Sequence, residues 1–228
     1  MVVPADPLDT VAGVTVLLGG RASPLGAVVQ YLHTSADSVI EALTERLAAS
    51  LVNPDFLRAL LSLLPFEEPW SRILVAPCGE WAALVNNGLH GGDGTAPGPA
   101  LSRALDVECV VASNVPRYGP GHEQTQLEVY GPDSDPPLMY VRSISVTATD
   151  GRWEWHESGA PFEFEQRDRY AARHTRDRFD RELLLDYLVS LGIPARDDTA
   201  YGPATLLQDL NMFDRRRMTL AQARAEFR

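Results

Sequence analysis

The chain has 228 residues, with 20 basic and 31 acidic side chains and a formal net charge of -11 at pH 7; this length suits one domain whose core needs neither metal nor disulfide to hold it. All 20 basic residues are arginine, which excludes a Schiff-base lysine and the lysines of phosphate-binding loops and protein kinases, and the negative balance argues against nucleic-acid binding, which needs a basic surface. Cys78 and Cys109 are too few for a disulfide framework or a zinc site and leave open a single bridge.

Asp6 and Asp9 stand where an export signal would be basic, and no apolar run reaches the roughly 20 residues that cross a bilayer. The chain therefore reads as cytoplasmic, with no membrane partner. VAGVTVLL (11–18) is a buried strand or short apolar segment, ended by GGRASPLG. Thr34 and Ser35 cap a helix predicted over 36–50, with Val39, Leu43, Leu47 and Leu51 at helical spacing. Asn53-Pro54 opens a second helix that ends at Pro65. This pair, 36–64, fits a core element and a dimer surface equally well. Residues 65–72 are the best place for a boundary, should the chain divide.

SRILVAPC and EWAALVNN then read as strands joined at Pro77–Glu80, followed by the Gly/Pro-rich loop 86–99, a short helix over 100–105 and a strand over 108–115. QLEVYG, LMYVRSISVTAT and RWEWHES form further strands, with a turn at PDSDPP (132–137) between the first two and FEFEQ continuing the alternation after Pro161. With Asp150-Gly151 as a two-residue turn, Ala148 faces Trp153 and Val146 faces Trp155 on an apolar side. Thr149, Thr147 and Ser145 then face Arg152, Glu154 and His156 on a polar one. RDRYAARHTRDRF is predicted helical, as is RELLLDYLVSL, capped by Asp180 and stopped by Gly192. YGPATLLQDLNMF is a further helical segment, before a locally basic tail. The class is α+β: a central antiparallel sheet of about five to seven strands with helices packed on one face. The chain reads as one domain, 1–228, with a helical segment at 1–65, the sheet core and its helices at 66–193 and a helical tail at 194–228.

Candidate sites follow from residue type. In the loop 86–99, glycine amides form an anion nest and a helix beginning near Gly98 adds its positive end; Asn86, Asn87, His90 and Asp93 are the polar groups there. An inert surface loop is the plain alternative. The histidines His33, His90, His122, His156 and His174 show no helical zinc spacing, and neither His90 with Asp93 nor His122 with Glu123 completes a ligand set, so no metal and no cofactor is expected. No GxSxG elbow is present, and both cysteines lie beside strands, so no catalytic residue is assigned. Arg152, Glu154 and His156 share the outer face of the hairpin, either as solvated charges or as a recognition surface. The arginines between Arg167 and Arg181 alternate with acids and read as an ion-paired surface, with RNA binding as the sharper alternative.

The run YGPDSDPPLMYVRSISVTATDGRWEWHESGAPFEFEQ, with DRF and LLDYLVSLGI after it, resembles acidic bacterial proteins of the polymorphic-toxin immunity type over roughly residues 70–193. The resemblance implies a cytosolic α+β protein without a catalytic motif, and a protein partner in the form of a basic toxin domain. It carries over no binding residue. The charge and the residues together point to a non-enzymatic binding protein that presents an acidic surface to a basic protein partner. A small-ligand receptor or enzyme built on the 86–99 loop is the alternative.

Overall fold

Strands dominate the structure. The computed structural model describes residues 8, 14–92, 97–118, 122–131, 140–211 and 214–226. Within them, strands β1 (Val28–Leu32), β2 (Ala48–Asn53), β4 (Arg72–Cys78), β5 (Trp81–Asn86), β6 (Cys109–Tyr118), β7 (His122–Tyr130), β8 (Tyr140–Thr149), β9 (Arg152–Gly159) and β10 (Ala204–Gln208) form one nine-stranded sheet in the order β2-β10-β4-β5-β1-β6-β7-β8-β9. Every pairing in it is antiparallel. Strands β3 (Phe66–Glu68) and β11 (Arg216–Met218) make a separate two-stranded ribbon. The helices are α1 (Ala36–Thr44), α2 (Phe56–Ala59, continued by a 3₁₀ turn), α3 (Gly98–Leu105), α4 (Arg167–Tyr170), α5 (Arg181–Ser190) and α6 (Leu220–Glu226). None is long and apolar enough to cross a membrane.

The α+β antiparallel class is as the sequence predicts, but helices cover both faces of the sheet rather than one. Alternate residues of the central strands enter two separate cores. Val29, Tyr31, Leu74 and Ala76 pack with Leu183, Leu184 and Tyr187 of α5 and Phe56 of α2, on face A. Val28, Leu32, Ile73 and Val75 pack with Val39 and Leu43 of α1 and Leu101 of α3, on face B. The signature was the near-continuous apolar runs of β4 and β5, which mark strands buried on both sides.

The β8–β9 hairpin has the predicted register, with Ala148 opposite Trp153, Val146 opposite Trp155, and Ser145 opposite His156. Asp150 and Gly151 both adopt positive φ, 53° and 78°, as a primed two-residue turn requires. Asp180 caps α5 by accepting from Leu183 N–H at 2.9 Å, and Gly192 (φ 83°) follows its end.

Other segments depart from expectation. The predicted helix over 36–50 stops at Thr44, and 48–53 is the edge strand β2. YGPATLLQ supplies β10, which slots between β2 and β4; pairing on both sides overrides local preference. Both the N-terminal segment and the C-terminal tail, expected to be helical, thus contribute strands to the main sheet. The cap of α2 is Asp55, whose side chain accepts from Arg58 N–H, while Asn53 accepts from Asp55 N–H. Of 167–179 only α4 and a 3₁₀ turn at Thr175–Asp177 are helical. Most apolar residues of the 36–64 helices are used in this chain's own cores, leaving Leu61 of the 3₁₀ turn and Leu51 and Val52 of β2 exposed. The expected turn at 132–137 lies outside the described residues.

FEFEQ does not extend the sheet. It folds back over face A, where Phe162 stacks on Phe164 and Trp155 meets Tyr170 at 4.8 Å between ring centres. Buried Arg142 of β8 fixes this return. Its Nε and Nη2 donate to the two oxygens of Glu165 at 2.8 and 2.7 Å, Nη2 also to Glu157 at 2.8 Å, and Nη1 to the carbonyls of Ser158 and Gly159. Glu165 also accepts from Phe162 N–H and Tyr170 OH.

Burial raises the Glu165 carboxyl pKa, but hydrogen bonds from Arg142, Phe162 N–H and Tyr170 outweigh it and leave the value below the ordinary 4.5. A carboxyl depressed in the folded state stabilises above its unfolded pKa and loses that contribution as pH falls through the folded value. Arg142→Ala strands a buried carboxylate and is expected to cost about 3–5 kcal/mol in chemical denaturation at neutral pH. Because the variant also loses the depression of Glu165, its stability should fall less steeply than the wild type's on acidification below about pH 4.5.

Candidate functional site

Among the described residues, face B is covered by α1 and α3 over β1, β4, β5 and β6, and no helix is packed on it over β7, β8 and β9. The register lays polar rows across this open half: Ser113, Gln126, Ser145 and His156 in one, Gln124, Thr147 and Glu154 in the next. Where the open half meets the β3 ribbon lies a groove of about 610 Å³. Its lining includes Glu128, Tyr130 and Tyr140 from the sheet and Trp70 from the segment after β3, with Gly88, Leu89 and Gly92 of the loop also contributing.

A bulge in β8 brings these residues together. Val129 pairs with Arg142 and Tyr130 with Tyr140, leaving Val141 as the extra residue. In a regular strand Tyr140 and Arg142 would share a face. The bulge sends Arg142 into the face A core and Tyr140 to face B, beside Tyr130.

Glu128 is 8% exposed and accepts from Tyr130 OH at 2.7 Å. Tyr140 also hydrogen-bonds it. Burial, then the Glu128 charge, pushes both phenols above their ordinary pKa, which keeps them as donors to the carboxylate. The two rings sit 5.3 Å apart at 59°. Gln124 donates its side-chain amide to Gln126. Glu67 is tied down separately, by Arg217 Nε at 2.9 Å and by the Ser71 hydroxyl.

Asn87 holds the β3 wall in place. Its Oδ1 accepts from Ser71 N–H and Arg72 N–H, both at 2.8 Å, Nδ2 donates to Pro65 O at 3.0 Å, and its carbonyl accepts from Glu67 N–H at 2.7 Å. Asn86 accepts from Gly88 N–H at 3.0 Å. These two asparagines, expected as ligand groups, are buried and shape the loop instead. The side chain of His90, and Asp93, lie outside what the structure describes. The expected anion cradle at the start of α3 is filled from within, since Gly98 N–H donates to Gln30 Oε1 at 2.6 Å. Gly92 needs its φ of 132°, and a Cβ there would come within 3.2 Å of Val28 Cβ.

Arg152, Glu154 and His156 are exposed on β9, on the same face as the groove and two strands from β7, about 10 Å away. Arg152 and Glu154 pair loosely at 3.7 Å. Glu128, Tyr130, Tyr140 and Trp70 are not among the residues expected from the sequence. A signal was present: His122, Gln124, Gln126 and Glu128 alternate along what proves to be an interior strand, where such a polar stripe marks an uncovered face.

Cys78 and Cys109 are both free and lie in opposite cores, on either side of the sheet. Burial pushes the Cys78 thiol up to about 12, and burial followed by the Glu128 and Glu108 charges pushes Cys109 upward as well. Neither is a thiolate nucleophile at neutral pH. Among the described residues no three His, Cys, Asp or Glu side chains gather to hold one ion. Comparison with protein-family models, curated proteins and solved structures returns no match, so the geometry alone carries the functional reading.

Asn87→Ala strands the Ser71 and Arg72 amides, and is expected to cost about 2–4 kcal/mol in urea denaturation. Glu128→Gln keeps an acceptor for Tyr130 and should change stability far less.

Proposed function

We propose that the protein is a non-enzymatic recognition protein that holds a basic segment of a protein partner in the groove and against the polar face beside it. The observation that carries this reading is the charge of the groove: among the described residues three carboxylates, Glu67, Glu68 and Glu128, line it, together with His122 and no arginine. Arg217 compensates Glu67, whereas Glu128 is met by neutral hydroxyls. A partly buried carboxylate with acceptor sites to spare attracts a cation, and the net charge of -11 extends that attraction beyond the groove. Blocking a basic domain in this way is what the resemblance to immunity proteins of polymorphic toxins implies, and a basic toxin domain is the partner it designates. Arg152, Glu154 and His156 form the outer edge of the same surface.

The test is binding to the product of the neighbouring gene where that product is a basic domain. Association should slow steeply as salt rises through the physiological range. Glu128→Gln should raise Kd at least about tenfold, mainly through faster dissociation. An on-rate indifferent to ionic strength would overturn the reading.

A second reading has one observation in its favour: Gly88, Leu89 and Gly92 put the Gly-rich loop on the groove wall, as a small-ligand site would. The anionic lining and the occupied Gly98 amide disfavour phosphates. Nucleotides and sugar phosphates are therefore expected to leave Tm unchanged in a thermal-shift screen, and a clear rise with any of them would favour this second reading.

A further inference from the structure

We infer that the part of the groove around Glu128 is a guanidinium subsite, which takes an arginine side chain of the partner in preference to a lysine. The inference rests on the proposed binding of a basic segment and specifies its chemistry. The two faces of the sheet supply the argument. Glu165 on face A and Glu128 on face B are equally buried, each 8% exposed. Glu165 has its guanidinium inside the chain, in a two-point contact with Arg142. Glu128 has tyrosine hydroxyls in that role, and it lines an open groove.

The surroundings favour a flat cation. A guanidinium is planar, weakly hydrated and carries five donors in one plane, so it accepts partial desolvation against aromatic rings; an ammonium is compact and strongly hydrated. Tyr130, Tyr140 and Trp70 supply aromatic surface around the carboxylate. Neutral polar groups lie alongside: Gln124 and Gln126 line the groove with their side-chain amides, and Ser113 adds a hydroxyl. Of the three groove carboxylates, Glu128 is the one set among tyrosine hydroxyls, side-chain amides and rings, surroundings that suit a fork of donors better than a point charge.

The probes are acetyl-Gly-Arg-Gly-amide, the same peptide with lysine and the same peptide with trimethyllysine, each titrated into the full chain and followed by amide and indole NMR shifts. The arginine peptide should shift Gln126, Glu128 and the Trp70 indole, with a Kd at least about fivefold below that of the lysine peptide. Glu128→Gln should weaken it about tenfold. Gln124→Ala, a substitution at a half-buried position, should weaken the arginine peptide and leave the lysine peptide unchanged. A lysine or trimethyllysine peptide that binds as tightly as the arginine one would overturn the guanidinium assignment and leave the proposed function standing. So would a basic partner that binds in a salt-dependent way while the arginine peptide shifts nothing. If neither peptides nor basic partner bind, the proposed function falls with it.

Discussion

Arg142 carries five N–H donors into a fully buried position, and each finds an acceptor: two on Glu165, one on Glu157, and the carbonyls of Ser158 and Gly159. Removing a guanidinium from water costs several kcal/mol, and a buried pair of this kind survives only when its remaining hydrogen bonds are met. Meeting them requires the end of β9, the turn after it and the start of α4 to lie together over face A. Tyr170 and Tyr187 extend the network to α5, through a 3.0 Å contact between their hydroxyls and a bond from Gln166 N–H to Tyr187. The return of the chain after β9 is therefore set by one side chain, and it goes to face A because Arg142 points there.

Among the described residues, that choice leaves face B of β7 to β9 without a helix on it. The Val141 bulge is the hinge of the arrangement, because it gives Arg142 to one face and Tyr140 to the other. A regular ladder would put both on one side: either the Arg142 network would form and Glu128 would lose Tyr140, or the reverse. The buried ion pair and the groove are thus products of the same irregularity. Bulges recur beside functional sites for this reason, since they re-aim a single side chain without changing the fold.

The parts of this design that were legible in the sequence are those governed by neighbours along the chain. The Asp150-Gly151 turn fixed the register of β8 on β9, and the Asp180 cap and Gly192 stop fixed the ends of α5. The parts that were not legible depend on distant partners. ATLLQ becomes a strand because β2 and β4 flank it, and AASLVN because β10 offers it an edge. FEFEQ alternates like a strand, yet Glu165 belongs to Arg142, 23 residues earlier. Clean alternation at the hairpin also suggested a sheet covered on one side, whereas the centre is buried on both. For the site, sequence reading weighed glycines and histidines, while the groove is built from a glutamate and aromatic residues whose convergence depends on a bulge that no local pattern announces.

The groups packed around Glu128 bear on whether the groove moves protons or holds charge. A general acid or base works best with a pKa near the operating pH. Burial and the Glu128 charge drive Tyr130, Tyr140 and Cys109 in the opposite direction, upward and away from neutrality. Each stays protonated, and the two phenols act as fixed donors that hold the carboxylate in one orientation. Such an arrangement presents a positioned negative charge. Preorganisation of this kind lowers the cost of ordering the site when a ligand binds, which is the contribution a recognition surface needs.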